Sequence, residues 1–192
     1  MAFDAMSQVS DEALLVLYAN GDQNAARSLT LRLVPRIMAH AHRMLNDRAE
    51  AEDVTQEALI RLWKIAPEWR QGEAKVTTWL YRVTANLCTD RLRKVRHSDI
   101  EDAPEIADGA ASAEQILIAQ ARAQALNGAL ARLPERQRQA VLLRHIEGLQ
   151  NPEIAEVMDI SVEAVESLTA RGKRSLAQLL GKRRAELGFY DG

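Results

Sequence analysis

Between residues 86 and 94 the chain sets out Asn86, Asp90, Arg91, Arg93 and Lys94. An amide can donate to and accept from a base edge, and cations suit phosphates. The mixture therefore fits a single strand whose bases have left the stack. A second group follows from residue 161: Ser161, Glu163, Glu166, Ser167, Arg171, Lys173 and Arg174. Small and polar residues, with cations towards the later turns, suit a helix laid in a major groove with phosphates at its flank. A third group is Asp53 and Glu57, four apart and so on one helical face, with Gln56 beside them and Trp63 further along. An acidic and polar face with a large aromatic suits a protein partner. Each group also has a plainer reading. The charges could be solvated helix faces, Asn86 a hydrogen-bonded helix residue, and Trp63 part of a core, as is expected of Trp79.

Reaction chemistry is not expected. His40 and His42 are two apart and face different ways on a helix, while His97 and His145 are distant in sequence. There is no glycine-rich phosphate loop, no nucleophile motif and no carboxylate pair set up for acid–base work. No catalytic residue, metal site or cofactor is therefore expected. The single cysteine, Cys88, can form no internal disulfide, which fits a reducing cytoplasm.

The elements that must position these groups are helices. Aromatics make up 4% of the 192 residues, and Ala, Leu, Arg, Glu and Gln, all strong helix formers, abound. No segment alternates with period two, so no strand is predicted. The first helix is expected over 11–20, capped by Ser10 and stopped at Gly21. The second begins after Asp22, buries a stripe of Leu29, Leu33, Ile37, Ala41 and Leu45, and breaks at Asn46-Asp47. A third turns Val54, Ala58, Leu62 and Ile65 inward and ends before Pro67. Residues 70–72 read as a loop. A fourth helix, over about 77–96, carries Leu80, Val83, Leu87 and Leu92 along one side. Beyond residue 112, Ile116, Ala119, Ala123, Leu126, Leu130 and Leu133 recur as one helical face. Pro134 opens a further helix at its first position, ending at Gly148, and Asn151-Pro152 opens the next as cap then proline.

The span 151–180 reads as a helix-turn-helix. Its first helix holds Ile154, Ala155 and Met158. The turn is Asp159-Ile160-Ser161, and the second helix places Val165, Leu168, Gly172, Leu176 and Leu179 inward. Two antiparallel helices of an ordinary bundle would look similar.

The formal net charge is −2, but the charge is segregated. Arg82, Arg91, Arg93, Lys94 and Arg96 stand against Asp90, and Arg171, Lys173, Arg174, Lys182, Arg183 and Arg184 form a second basic run. Between them lie Asp99, Glu101, Asp102, Glu105, Asp108 and Glu114 without a base. Two basic helices flanking an acidic connector suggest two polyanion contacts. The segment 97–112, with Pro104 and Gly109, reads as a flexible linker with too little apolar content to bury. About 16 residues at ~3.3 Å each could span roughly 50 Å, more than one turn of DNA at ~34 Å. No apolar run approaches the ~20 residues of a membrane span, and residues 1–10 lack the pattern of a signal peptide.

Three motifs carry a family resemblance. Glu52-Asp53-Val54-Thr55-Gln56-Glu57-Ala58-Leu59-Ile60-Arg61-Leu62-Trp63 resembles the polymerase-binding helix of extracytoplasmic-function (ECF) sigma factors of the bacterial sigma-70 family. Thr78-Trp79-Leu80-Tyr81-Arg82-Val83-Thr84-Ala85-Asn86 with Asp90-Arg91-Leu92-Arg93-Lys94 is similar to their minus-ten recognition helix. Residues 130–138, then Glu147-Gly148-Leu149, Glu153-Ile154-Ala155 and Met158 resemble their C-terminal promoter domain. The motifs stand in family order over about residues 11–182.

The resemblance implies an all-α protein of two small helical domains, 11–96 and 113–187, joined by the acidic linker 97–112, the second domain containing the helix-turn-helix. It implies a non-enzymatic, cytoplasmic sigma factor that binds core RNA polymerase through Asp53, Gln56, Glu57, Arg61 and Trp63 and directs it to promoter DNA. The minus-ten element would meet Asn86, Asp90, Arg91, Arg93 and Lys94. The minus-thirty-five element would meet Ser161, Glu163, Glu166, Ser167, Arg171, Lys173 and Arg174. An anti-sigma factor is the further partner implied. Two departures bear on the minus-thirty-five contacts. Ala164 and Glu166 stand where many members carry a threonine and then a base, and Gln150 stands where serine or threonine is usual.

Other classes fit less well. A helix-turn-helix regulator acting alone would leave the motif around Asp53 and Trp63 unexplained and would usually require a dimer. A sigma mimic that titrates an anti-sigma protein would carry a receiver domain after the sigma-like part, which is not expected here, although Glu166 would suit it. An enzyme would need site chemistry that the sequence lacks.

Overall fold

The computed structural model describes residues 6, 8–70, 72, 74–97 and 113–181, with side chains placed at all of these except 95–97 and 113–120. Of the expected linker 97–112, His97 is the last residue of a helix, and residues 98–112, like the basic residues Lys182, Arg183 and Arg184, lie outside the described residues. Among the described residues every regular element is helical. No helix among them is long and apolar enough to cross a membrane.

The N-terminal half holds α1 (Asp11–Ala19), α2 (Gln23–Leu45), α3 (Arg48–Ile65) and α4 (Val76–His97), with a short 3-10 turn at Ala66–Glu68. The polar punctuation sets the boundaries. Ser10 caps α1 by accepting from Ala13 N at 3.2 Å, and Asp22 and Asp47 cap α2 and α3 in the same way. Asn46 ends α2 in the left-handed conformation at φ 54°. The start of α4 is satisfied from a distance, since the Glu12 carboxylate of α1 accepts from Val76 N at 3.0 Å. Leu29, Leu33, Ile37 and Ala41 are buried as their spacing predicts, and they meet Val54, Ala58 and Leu62 of α3 and Leu80 of α4 in the core; Leu45 and Ile65, expected in the same stripes, are half-buried at the helix ends. Pro35 lies inside α2 on its exposed side, so the helical bond it lacks falls on the face nearest water.

The C-terminal half holds α5 (Ala113–Ala131), α6 (Glu135–Val141), α7 (Asn151–Met158) and α8 (Val162–Gly181). Here the structure corrects several expectations. Pro134 is the N-cap of α6, not its first helical residue. The end of that element winds into a π turn at Leu142–Ile146 before Gly148 reverses the chain at φ +74°. Gln150 caps α7, so Asn151 is already helical, and Gln150 N donates to the Glu153 carboxylate at 2.8 Å. On α5 the buried residues are Ala125, Ala129 and Leu130, whereas Ala123 is exposed. Leu133 is buried in the turn that follows. Ile116 and Ala119 lie where no side chain is described.

Gly172 is where α8 crosses α6. A Cβ there would stand 2.6 Å from Val141 Cγ2 and 3.1 Å from Gln137 O. We expect Gly172→Ala to destabilise the fold by about 1–3 kcal/mol, despite the better helix propensity of alanine. Chemical denaturation checks this, and a stability equal to or above that of the parent would refute the close approach.

The two halves pack against each other. α4 buries Tyr81, Thr84, Ala85 and Cys88 as well as the expected Leu80 and Leu87, because it is covered by α2 and α3 and also by α7. Val83 and Leu92 of the expected stripe are half-buried. Burial pushes the Cys88 thiol up to about 12, against the opposing pull of Arg91, so the thiol is inert at neutral pH.

Candidate functional site

The acidic face of α3 is where the sequence placed it. The side chains of Asp53 and Glu57 are 67% and 40% exposed, and Gln56 is exposed beside them. Arg61 pairs with Glu57 one turn back, as i,i+4 geometry allows. Trp63 is half-buried, its ring 4.7 Å from that of Tyr18 of α1, so much of its surface is spent within the chain. Trp79, expected in the core, is also half-buried and meets Trp69 edge-on at 6.1 Å.

An unforeseen contact joins this face to α4. Arg91 reaches across to hydrogen-bond the Glu50 carboxylate, and its guanidinium lies 3.9 Å from Asp53 and 4.0 Å from Glu57. The bond to Glu50 raises the Arg91 pKa further, so the group is a fixed cation among carboxylates. Arg91 of the expected strand-binding group thus lies against Asp53 and Glu57 of the expected protein-binding group. Nothing in local spacing reveals this, because Glu50 and Arg91 are far apart in sequence.

Asn86, Asp90, Arg93 and Lys94 are exposed on α4. Asn86, Thr89 and Arg93 form one wall of a groove of about 660 Å³, whose other wall is Pro134, Glu135 and Arg136. The Thr89 hydroxyl donates to Glu135 across it at 2.6 Å.

The helix-turn-helix forms as the spacing predicts. Ile154, Met158 and Val165 are buried, as is Gly172, and Leu168, Leu176 and Leu179 are half-buried against the core. Asp159 makes the turn at φ 52°, and Ser161 Oγ caps α8 by accepting from Ala164 N at 3.2 Å. Glu163, at the helix start, is held below the usual carboxylate range by its own backbone N–H and the Ser161 hydroxyl. The outward face shows Glu163, Glu166, Ala170, Arg171, Lys173 and Arg174 exposed, with Ser167 half-buried. Arg171 donates to Ser167 Oγ at 2.7 Å, and Asn151 of α7 approaches Glu166 at 3.4 Å.

The comparisons with known proteins fall on these same elements. The profile of sigma-70 region 2 matches residues 29–98, and that of sigma-70 region 4 matches residues 123–176. The ECF RNA polymerase sigma factor SigM of Mycobacterium tuberculosis H37Rv is 30% identical over 184 residues, which cover 94% of this chain and 90% of that protein. The chain belongs to the ECF sigma factors. SigW of Bacillus subtilis, another ECF RNA polymerase sigma factor, is 30% identical over 83% of this chain and 91% of its own length. The fold is shared with CnrH, solved in complex with the cytosolic domain of CnrY, at a TM-score of 0.67 and 23% identity, covering 90% of this chain and 97% of that one. The region 2 match takes in α3, α4 and α2 from residue 29, and the region 4 match takes in α6, α7, the end of α5 from residue 123 and α8 as far as residue 176.

Proposed function

We propose that this sigma factor divides its labour among three helices. Asp53, Gln56 and Glu57 of α3 engage core polymerase, with Arg61 at the edge of that face and Trp63 supporting it. Asn86, Asp90, Arg93 and Lys94 of α4 meet the melted minus-ten strand, joined by Arg91 from its place among the carboxylates. Ser161, Glu163, Glu166, Ser167, Arg171, Lys173 and Arg174 of α8 read the minus-thirty-five element. The functional units are 11–96 and 113–187, with 97–112 as the connector. The chain acts without catalysis of its own, as a cytoplasmic partner of the polymerase. The observation that carries the promoter reading is the outward face of α8, where exposed Glu166, Arg171, Lys173 and Arg174 stand opposite a buried Val165 and Gly172.

A carboxylate in the major groove repels phosphate but can accept from cytosine N4, while the later arginines face backbone. Replacing Glu166 with alanine is expected to relax preference at one base pair of the minus-thirty-five element by about 1–3 kcal/mol. Arg174→Ala should instead weaken all promoters alike and reduce the salt slope by about one. Holoenzyme transcription from single-base promoter variants across a salt series measures both. Base preference unchanged in Glu166→Ala would leave that residue as a helix-start charge.

An anti-sigma partner is a further part of this proposal. Its support is that CnrH and the RpoE of Bartonella quintana, the latter solved with the anti-sigma factor NepR, share this fold. A pull-down from unstressed cells that recovers polymerase alone would contradict it.

A further inference from the structure

The contact between the two halves is built from buried polar groups as well as apolar packing. Glu147, between the π turn and Gly148, inserts its carboxylate into the N-terminal half, where its side chain is 7% exposed. It accepts from the Tyr81 hydroxyl, and its other oxygen lies 3.5 Å from Nδ1 of the fully buried His40. Tyr81 is 1% exposed, so the acceptor for its hydroxyl comes from the other half of the molecule. Burial pushes the Glu147 pKa up, but the polar contacts of His40 and Tyr81 and the charges of His40 and Arg43 outweigh it and hold the carboxyl below its usual range.

Arg138 makes a second link, its guanidinium donating to Met44 O at the end of α2. At the rim, Thr89 meets Glu135 at 2.6 Å and Lys75 meets Glu153 at 2.6 Å. Buried polar groups are costly to enclose without polar neighbours. Across the boundary between the halves the Tyr81 phenol meets the Glu147 carboxylate, the His40 imidazole lies 3.5 Å from it, and the Arg138 guanidinium meets a main-chain carbonyl.

This arrangement does not suit a chain at work on a promoter. The two promoter elements lie more than a turn of DNA apart (~34 Å), whereas α4 and α7 are in direct contact. A strand approaching Asn86 would also meet the Glu135 carboxylate, fixed on Thr89 one turn along the same helix.

We propose that the chain has a self-closed resting state, in which Glu147 and Arg138 clasp the N-terminal half at Tyr81, His40 and Met44, and that this clasp opens before both promoter elements are read. The second part rests on the promoter reading above; the first stands on the contacts alone. Opening exchanges one set of partners for water, so it needs no rearrangement inside either half.

Carbodiimide cross-linking of the full chain tests closure, because it joins an amine to a carboxylate already in contact, and Lys75 and Glu153 are such a pair. Mass spectrometry should find the Lys75–Glu153 cross-link in the parent protein. Its yield should fall about tenfold in Glu147→Ala and to a smaller degree in Tyr81→Phe, which removes the hydroxyl but keeps the ring. Both variants should retain parental helicity by circular dichroism. With limiting sigma factor and core polymerase, run-off transcription from either variant should rise several-fold. Yields equal to the parent's in both variants would overturn the clasp. A lost cross-link with no gain in transcription would overturn its inhibitory role. If even the parent gives no transcript, the promoter reading fails, while the cross-link still decides closure.

Discussion

Replacing both Asp53 and Glu57 with lysine is expected to abolish binding to core polymerase, lowering affinity about 100-fold or more. Reversing charges at a complementary interface costs several kcal/mol through lost attraction and new repulsion. The fold should survive. Both residues are substantially exposed, and Arg91, which approaches them at 3.9 and 4.0 Å, keeps its hydrogen bond to Glu50. Exposed pairs of this kind contribute about 0–1 kcal/mol each to stability. Co-purification with core, beside circular dichroism of the variant, separates the two effects. Undiminished co-purification would remove α3 from the interface.

The second large effect is on stability. Arg138 is 8% exposed and its guanidinium donates to Met44 O, Ala131 O and Leu133 O. Met44 and Ala131 lie at the C-terminal ends of α2 and α5, where helical carbonyls lack intrahelical partners and favour a cation. Arg138→Ala removes the donor from several buried acceptors at once, and it should cost about 3–5 kcal/mol. That is a large share of the ~5–15 kcal/mol that holds a typical domain folded. Arg138→Lys should recover a minor part, because an ammonium cannot reach the carbonyls as a fork. Urea denaturation measures both, and a loss below about 1 kcal/mol for the alanine variant would show that water replaces the guanidinium without penalty.

Much of this architecture is legible in the sequence because the signals are local. Ser10, Asp22 and Asp47 are capping residues that cap, Asn46 is a stop, and Gly21 and Gly148 adopt the positive φ that their positions require. The stripe from Leu29 to Leu45 and the inward set of the helix-turn-helix follow helical period, and they are buried or, at Leu45, Ala155, Leu168, Leu176 and Leu179, half-buried. α5 is less legible, since alanine at position 123 carries too little apolar area to show which way a helix faces. The π turn had no marker in the sequence. Neither did the partners of polar residues distant in the chain. Arg91 looks like a DNA-facing cation from its neighbours, and nothing near Glu147 in sequence marks it for burial, yet both are committed to groups from other helices. Periodicity reports which face is apolar and is silent on which distant charge a buried polar group meets.

The proposed polymerase, minus-ten and minus-thirty-five contacts converge on one activity, and multi-round run-off transcription with purified core polymerase tests it most directly. A panel of candidate promoters is transcribed with core alone, with core plus the parent chain, and with core plus the Asp53→Lys, Glu57→Lys double variant. Discrete transcripts are expected from a subset of promoters, requiring the parent chain and vanishing with the double variant. Promoter binding by the chain alone at equal affinity, with no chain-dependent transcript from any promoter, would contradict it.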